Sequence, residues 1–229
     1  MNGPIIIAVA MPEEAEPLLA LATDIASQWT VVGRPAWQLD LGGRDVVVTQ
    51  TGIGLVNAAV TVTALAGQAS PLAVISAGSA GGLGTGVAVG DVVVGTEYLY
   101  TQADVSAFGY ALGQIPGLPP LFAADETLLP AAGQTVPGFA SALLHRGPMI
   151  SGDAFVTGQH AAAARRDFPA ALSCDMESAA LAHTCHLLGV PFVSIRGISD
   201  LVDAGEAAEH VDDASARSAA VVTALLERV

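Results

Sequence analysis

The stretch CDMESAALAH, Cys174 to His183, sets two carboxylates, Asp175 and Glu177, around Met176 where an apolar helix is predicted to begin. Three further places carry residue types that could do chemistry. MPEEAEPLL brings Glu13 and Glu14 just after Met11; both suit a helix N-terminus, where acids complement the dipole, and either could also act on a ligand. TGIGLVNAA (Thr51 to Ala59) and SAGSAGGL (Ser76 to Leu83) are glycine turns of the kind that let a ligand approach backbone N–H groups at a helix start. Neither is a complete GxGxxG or GxxxxGK[ST] loop, and close packing explains the glycines equally well. SIRGISD, Ser194 to Asp200, runs an apolar strand into Arg196 and then Ser199 and Asp200. A buried arginine needs a carboxylate partner, so Arg196 either forms a structural ion pair or orients an acid that reacts.

These segments follow apolar runs of strand length at Ile5 to Ala10, Val46 to Gln50, Leu72 to Ser76, Asp91 to Tyr100 and Pro191 to Ile195. Ala- and Leu-rich helices are predicted between them, over Glu13 to Ala22, Leu55 to Ala66, Glu177 to Leu188 and Asp213 to Arg228. The alternation predicts an α/β fold: a central, mostly parallel mixed sheet flanked by helices, in a single domain over residues 1–229. Parallel sheets of this kind gather ligands beyond the carboxyl ends of their strands, where the residues above lie. Residues 112–138 hold five of the thirteen prolines and read as a surface excursion.

Composition excludes several classes. Twenty-two acids stand against eight arginines and no lysine, a formal charge of −14, so no nucleic acid and no membrane surface is expected as a partner. Residues 46–90 contain no Asp, Glu, Lys or Arg, but six glycines between Leu72 and Gly90 break the run into short elements instead of a membrane span. The seven-residue apolar start lacks a basic flank and is followed by Glu13 and Glu14, unlike a secretory signal. Cys174 and Cys185 lack metal or redox spacing and read as free buried thiols, which fits a cytoplasmic setting. His145, His160, His183 and His186 show no metal-ligand pattern, and no GxSxG element supports a serine hydrolase.

The order of MPEE, TGIG, SAGSAGGL with VGDVVV, ADVSAFGYALGQIPG, SGDAF, DMESAALAHTCHLLGVPF and RGISD resembles 5′-methylthioadenosine/S-adenosylhomocysteine nucleosidases, within the nucleoside phosphorylase and nucleosidase superfamily. The resemblance spans Ile5 to about Asp203. It implies a nucleoside phosphorylase-like fold and a hydrolase that splits 5′-modified adenosines into adenine and the 5′-substituted ribose, with no metal and no organic cofactor. By the same resemblance Glu14 is the base for the attacking water, Ser79, Ala80 and Gly81 lie beneath ribose and purine, and Phe155 and Val156 stack on the base and read its edge. Met176 and Glu177 contact the ribose, Met11 belongs to the same site, Asp200 beside Ser199 faces purine N7, and Arg196 lies near the nucleophilic water. Asp175 is left as a structural neighbour.

Family members are homodimers in which one subunit closes the other's 5′ pocket; Val105, Phe108 and Pro116 match that loop. One departure falls at or near His210, where the family carries an aromatic on the 5′ side. It leaves open a relative acting on aminodeoxyfutalosine in the menaquinone pathway. A purine nucleoside phosphorylase is the other alternative, but a phosphorylase needs cations around its phosphate. Before residue 146 the chain has only Arg34 and Arg44, and SAGSAGGL contains no arginine.

Overall fold

In this computed structural model residues 3–202 and 210–229 are described. The strand IIIAV, β1 (Ile5–Val9), is buried at every position, the pattern of a parallel strand covered on both faces. It pairs in parallel with β4 (Arg44–Gln50) on one side and with β5 (Ala73–Gly82) on the other. β5 continues in parallel to β10 (Phe192–Asp200), whose nine residues are all buried. The run β4–β1–β5–β10 is the parallel core of the mixed sheet.

Beyond this run the sheet closes on itself. β10 also pairs antiparallel with β6 (Val92–Tyr100), β6 parallel with β8 (Leu144–Ser151), β8 parallel with β9 (Ser173–Asp175), and β9 antiparallel with β5. Five strands therefore form a ring, in which the end of β5 pairs with both β9 and the end of β10. On the far edge β4 leads to the antiparallel pair β3 (Arg34–Leu41) and β2 (Asp24–Val31). β2 is mostly exposed and gives no alternating apolar signal, so the sequence pattern passes it by; its turn, Val32–Gly33, has positive φ at both residues, as two-residue hairpins favour.

Among the described residues six helices cover the sheet. α1 (Pro12–Leu21) and α6 (Val211–Leu226) pack side by side, with α6 also against β5 and β10; α2 (Leu55–Ala69) packs against α5 (Ser178–Leu188). α4 (Gln159–Asp167) follows β8, and α3 (Leu128–Ala131) lies in the proline-rich excursion with the two-residue strand β7 (Phe122–Ala123). That excursion is more than surface: Phe122, Leu128, Ala132 and Val136 are buried members of the main core. The charge-free run 46–90 divides among β4, α2 and β5, and among the described residues no helix is long and apolar enough to cross a membrane.

Candidate active site

β1 delivers the chain to Ala10 and Met11, and Pro12 opens α1 with its φ already suited to the first turn. Glu14 then falls one turn into the helix and folds back over the strand ends. Its Oε2 accepts hydrogen bonds from Ala10 N (2.7 Å) and Met11 N (3.2 Å), and its Oε1 from Ser79 N (2.8 Å) and Ser79 Oγ (3.0 Å). This is a shell of donors around an acceptor-only group. One side chain therefore both caps α1 and ties the helix to β5. The carboxylate lies across Gly78, where φ is +138° and any Cβ would collide with it.

The opening of α5 supplies the second carboxylate. Glu177 is the residue immediately before the helix; its Oε1 accepts Gly54 N (3.0 Å), and Asp153 Oδ1 accepts Leu55 N (2.8 Å). The glycine turn TGIG thus spends these two N–H groups on carboxylates of the protein. In SAGSAGGL the N–H groups of Gly78 and Ser79 are likewise taken, by Ser218 and Glu14.

Beneath the carboxylates lies Arg196, 1% exposed, on β10. Its Nη2 is 3.3 Å from Glu177 Oε2, its Nη1 is 3.8 Å from Glu14 Oε1, and its Nε is 3.0 Å from Asp175 Oδ2 in an ion pair without an aligned hydrogen bond. Nη2 also donates to Ser76 Oγ (2.8 Å) and Nη1 to Ser79 O (3.3 Å). Burial alone would lower the arginine's pKa, but Asp175, Glu177 and Glu14 outweigh it and hold the pKa above its ordinary value. Burial pushes the Glu177 carboxyl up to about 7; Arg196 opposes that push, and Asp175 and Glu14 add to it. Asp175 Oδ1 accepts Ser151 Oγ (2.5 Å), Ser178 N (3.0 Å) and Glu177 N (3.2 Å), and Oδ2 accepts Ser178 Oγ. It is the close counter-ion of Arg196 and the anchor of the α5 start.

The third acid closes β10. Asp200 Oδ1 accepts Val202 N (2.8 Å), and Ser199 Oγ stands 3.0 Å from Asp200 Oδ2 and 3.3 Å from Ala80 O. One hydroxyl hydrogen can serve only one of those acceptors at a time.

These groups surround one cavity of about 710 Å³. Of the residues singled out from sequence, Met11, Glu13, Glu14, Ser79, Ala80, Gly81, Phe155, Val156, Met176, Glu177, Ser199 and Asp200 line it. Arg196 does not; it stands behind the carboxylates as their support. Val105 and Phe108 are also absent from the lining, and Phe108, in the 3-10 turn Ser106–Phe108, is 82% exposed. His210 precedes α6 and is half-buried, beside the lining residues Val211 and Asp212; residues 203–209 of that stretch lie outside the described residues. Among the described residues no arginine lines the cavity. Sequence reasoning missed Ile53, Cys174 and Asp212, among others, as lining groups, and left Asp175, which also lines the cavity, as a structural neighbour. For Asp175 a signal existed, since the arginine of SIRGISD demanded a carboxylate. Cys174 and Cys185 are both buried and free.

Residues 4–229 match the family model described as the phosphorylase superfamily, and the chain belongs to that superfamily. It is 42% identical over 199 residues to the 5′-methylthioadenosine/S-adenosylhomocysteine nucleosidase of Actinobacillus succinogenes, covering 86% of this chain and 85% of that one. The solved structure of the nucleosidase of that name from Neisseria meningitidis, in complex with methylthio-immucillin-A, matches at TM-score 0.94 and 38% identity over 100% of both chains. That from Colwellia psychrerythraea 34H, in complex with adenine, matches at TM-score 0.94 and 33% identity, over 100% of this chain and 96% of that one. Within the superfamily, this chain is a member of the 5′-methylthioadenosine/S-adenosylhomocysteine nucleosidase family.

Proposed function

We propose that this cavity hydrolyses the N-glycosidic bond of 5′-modified adenosines such as methylthioadenosine, S-adenosylhomocysteine and 5′-deoxyadenosine, releasing adenine and the 5′-substituted ribose. The observation that carries the reading is that Glu14, Glu177 and Asp200 converge on one pocket whose described lining holds no arginine. Bond breaking builds positive charge on the ribose and negative charge on the departing adenine. Glu14 takes the proton of the attacking water. Glu177, with Met176, holds the ribose hydroxyls and faces the developing cation, while Arg196 positions both glutamates. Asp200 delivers a proton toward N7; when it carries that proton, Ser199 is free to turn its own hydrogen to Ala80 O. Phe155, 57% exposed at the cavity edge, stacks on the base, and the backbone at Val156 reads it. Ser79, Ala80 and Gly81 form the floor.

Residues 1–229 act as one domain in a homodimer. Support comes from apolar side chains left in water: Ile53, Val56 and Val60 at and on α2, Leu187 on the adjoining α5, and Phe108, which with Val105 would close the partner's 5′ side. Two free buried thiols fit a cytoplasmic enzyme.

Adenine release from methylthioadenosine, measured with and without phosphate, tests the reaction. Phosphate-independent release is expected, and strict phosphate dependence would replace hydrolysis by phosphorolysis. An aminodeoxyfutalosine arm tests the 5′ preference, and faster turnover of that substrate would overturn the methylthioadenosine reading. Glu14→Gln and Asp200→Asn should bind substrate yet lose most turnover; parental rates would remove either residue from its role. Sedimentation of the full chain should show a dimer.

A further inference from the structure

Ser218 lies in α6, fully buried, and does not line the cavity. Its Oγ accepts a hydrogen bond from Gly78 N (3.1 Å) and donates one to Ile195 O (2.7 Å). A hydroxyl of a packing helix thus bridges two neighbouring strands, β5 and β10, within their parallel ladder, at the register pair Arg196↔Gly78. The place is specific. The peptide held on β5 leads into Ser79, whose N–H and hydroxyl both grip Glu14 Oε1, and Gly78 is where β5 leaves ordinary strand geometry at φ +138°. The carbonyl held on β10 belongs to the peptide that carries Arg196, the cation nearest Glu14 and Glu177. Arg196 Nη1 in turn meets Ser79 O (3.3 Å), so the two supports are tied to each other above the same bridge.

We propose that Ser218 is a positioning residue for the hydrolytic reaction: its hydroxyl sets the separation of β5 and β10 and thereby places the Ser79 and Arg196 supports of the Glu14 carboxylate. Alanine would leave Gly78 N–H and Ile195 C=O to find each other or go unpaired, and either outcome shifts Ser79 against Glu14. A misplacement of about 1 Å at a reacting group costs on the order of a hundredfold in rate. The purine contacts at Phe155 and Val156 lie between β8 and α4, outside both strands, so the stacking on the base should be spared. The inference rests on Glu14 as the base, proposed above.

The test compares Ser218→Ala and Ser218→Cys with the parent and with Glu14→Gln in the full chain, reading kcat and KM for methylthioadenosine, the Kd of adenine, and Tm. Cysteine keeps the volume but offers only a weak donor and acceptor. Both Ser218 variants should lose kcat by about tenfold or more, with KM and adenine Kd within about threefold. If Ser218→Ala does not fold, Ser218→Cys carries the measurement alone. Parental kcat in Ser218→Cys, or a rise in KM and adenine Kd in place of a fall in kcat, would show that the residue only fills space and would overturn the inference. Parental turnover in Glu14→Gln would instead refute the base assignment, whatever the Ser218 variants do.

Discussion

Arg196→Met is the sharpest perturbation of this site, because one buried cation faces three buried carboxylates at 3.0, 3.3 and 3.8 Å. Methionine keeps most of the volume and removes the charge. Losing one partner of a buried pair costs about 3–5 kcal/mol, mainly through the charge left uncompensated. For a chain of this length that corresponds to a fall in Tm of roughly 10 °C at neutral pH. The pH dependence separates charge from packing. Glu177 already titrates at about 7 in the parent fold, raised by burial against the pull of Arg196 from an ordinary value of 4.5. Without Arg196 its folded-state pKa must rise further. The unfolded chains titrate alike and cancel between parent and variant. Above the variant's raised pKa both folded forms carry the Glu177 charge and the stability gap is full. As pH falls toward 7 the variant takes up its proton first and the gap shrinks, and below 7 the Glu177 share of it is gone. Urea denaturation of both proteins at about pH 9 and pH 6, with m-values compared, reads this directly. A gap under about 1 kcal/mol at pH 9, or the same gap at both pH values, would refute the assignment of Arg196 as the electrostatic support of the acids.

Gly78→Ala should lose nearly all turnover and about 1–3 kcal/mol of stability, since alanine must adopt φ +138° and its Cβ meets the Glu14 carboxylate; parental kcat and Tm would refute the close packing. The kcat/KM of the parent should climb as pH rises through about 7, because Glu177 is neutral below that point and cannot face a developing cation; in Glu177→Gln that limb should vanish with the activity reduced, and a surviving limb would assign it elsewhere. Phe155→Ala should weaken adenine binding by about 1–3 kcal/mol, read by calorimetry, with little change in Tm because the ring is already largely exposed.

How far the sequence carried this reading follows from the range over which each feature is encoded. The segments that hold Glu14, Ser79, Glu177 and Asp200 are legible because each follows an apolar strand or opens a helix, and a parallel core brings such points to one end, whereas the choice of Glu14 over Glu13 and of Ser79 within its glycine turn rests on the family resemblance. Strand β2 is not, because a strand exposed over most of its length has no period to detect. Ring closure was not, because β10 chooses β5 and β6 as partners through contacts remote in sequence. Ser218 was hidden for a related reason: a serine in an alanine-rich helix looks like any small residue until the strands behind it are known to lean on its hydroxyl.

Asp175 is the instructive case. Its neighbour Glu177 looked like the chemical residue and Asp175 like scaffolding, while the arginine that needed a partner sat in a different motif. Charge accounting joins the two. Glu14 and Glu177 both reach the cavity from within reach of one guanidinium, and a guanidinium buried at 1% exposure needs a carboxylate close by. Asp175, held by Ser151, Ser178 and the backbone of α5, supplies it at 3.0 Å. The arginine's Nε then rests on Asp175 while its two outer nitrogens lie 3.3 Å from Glu177 and 3.8 Å from Glu14. The two glutamates that line the cavity thus share one buried cation with Asp175 in a strongly anionic chain.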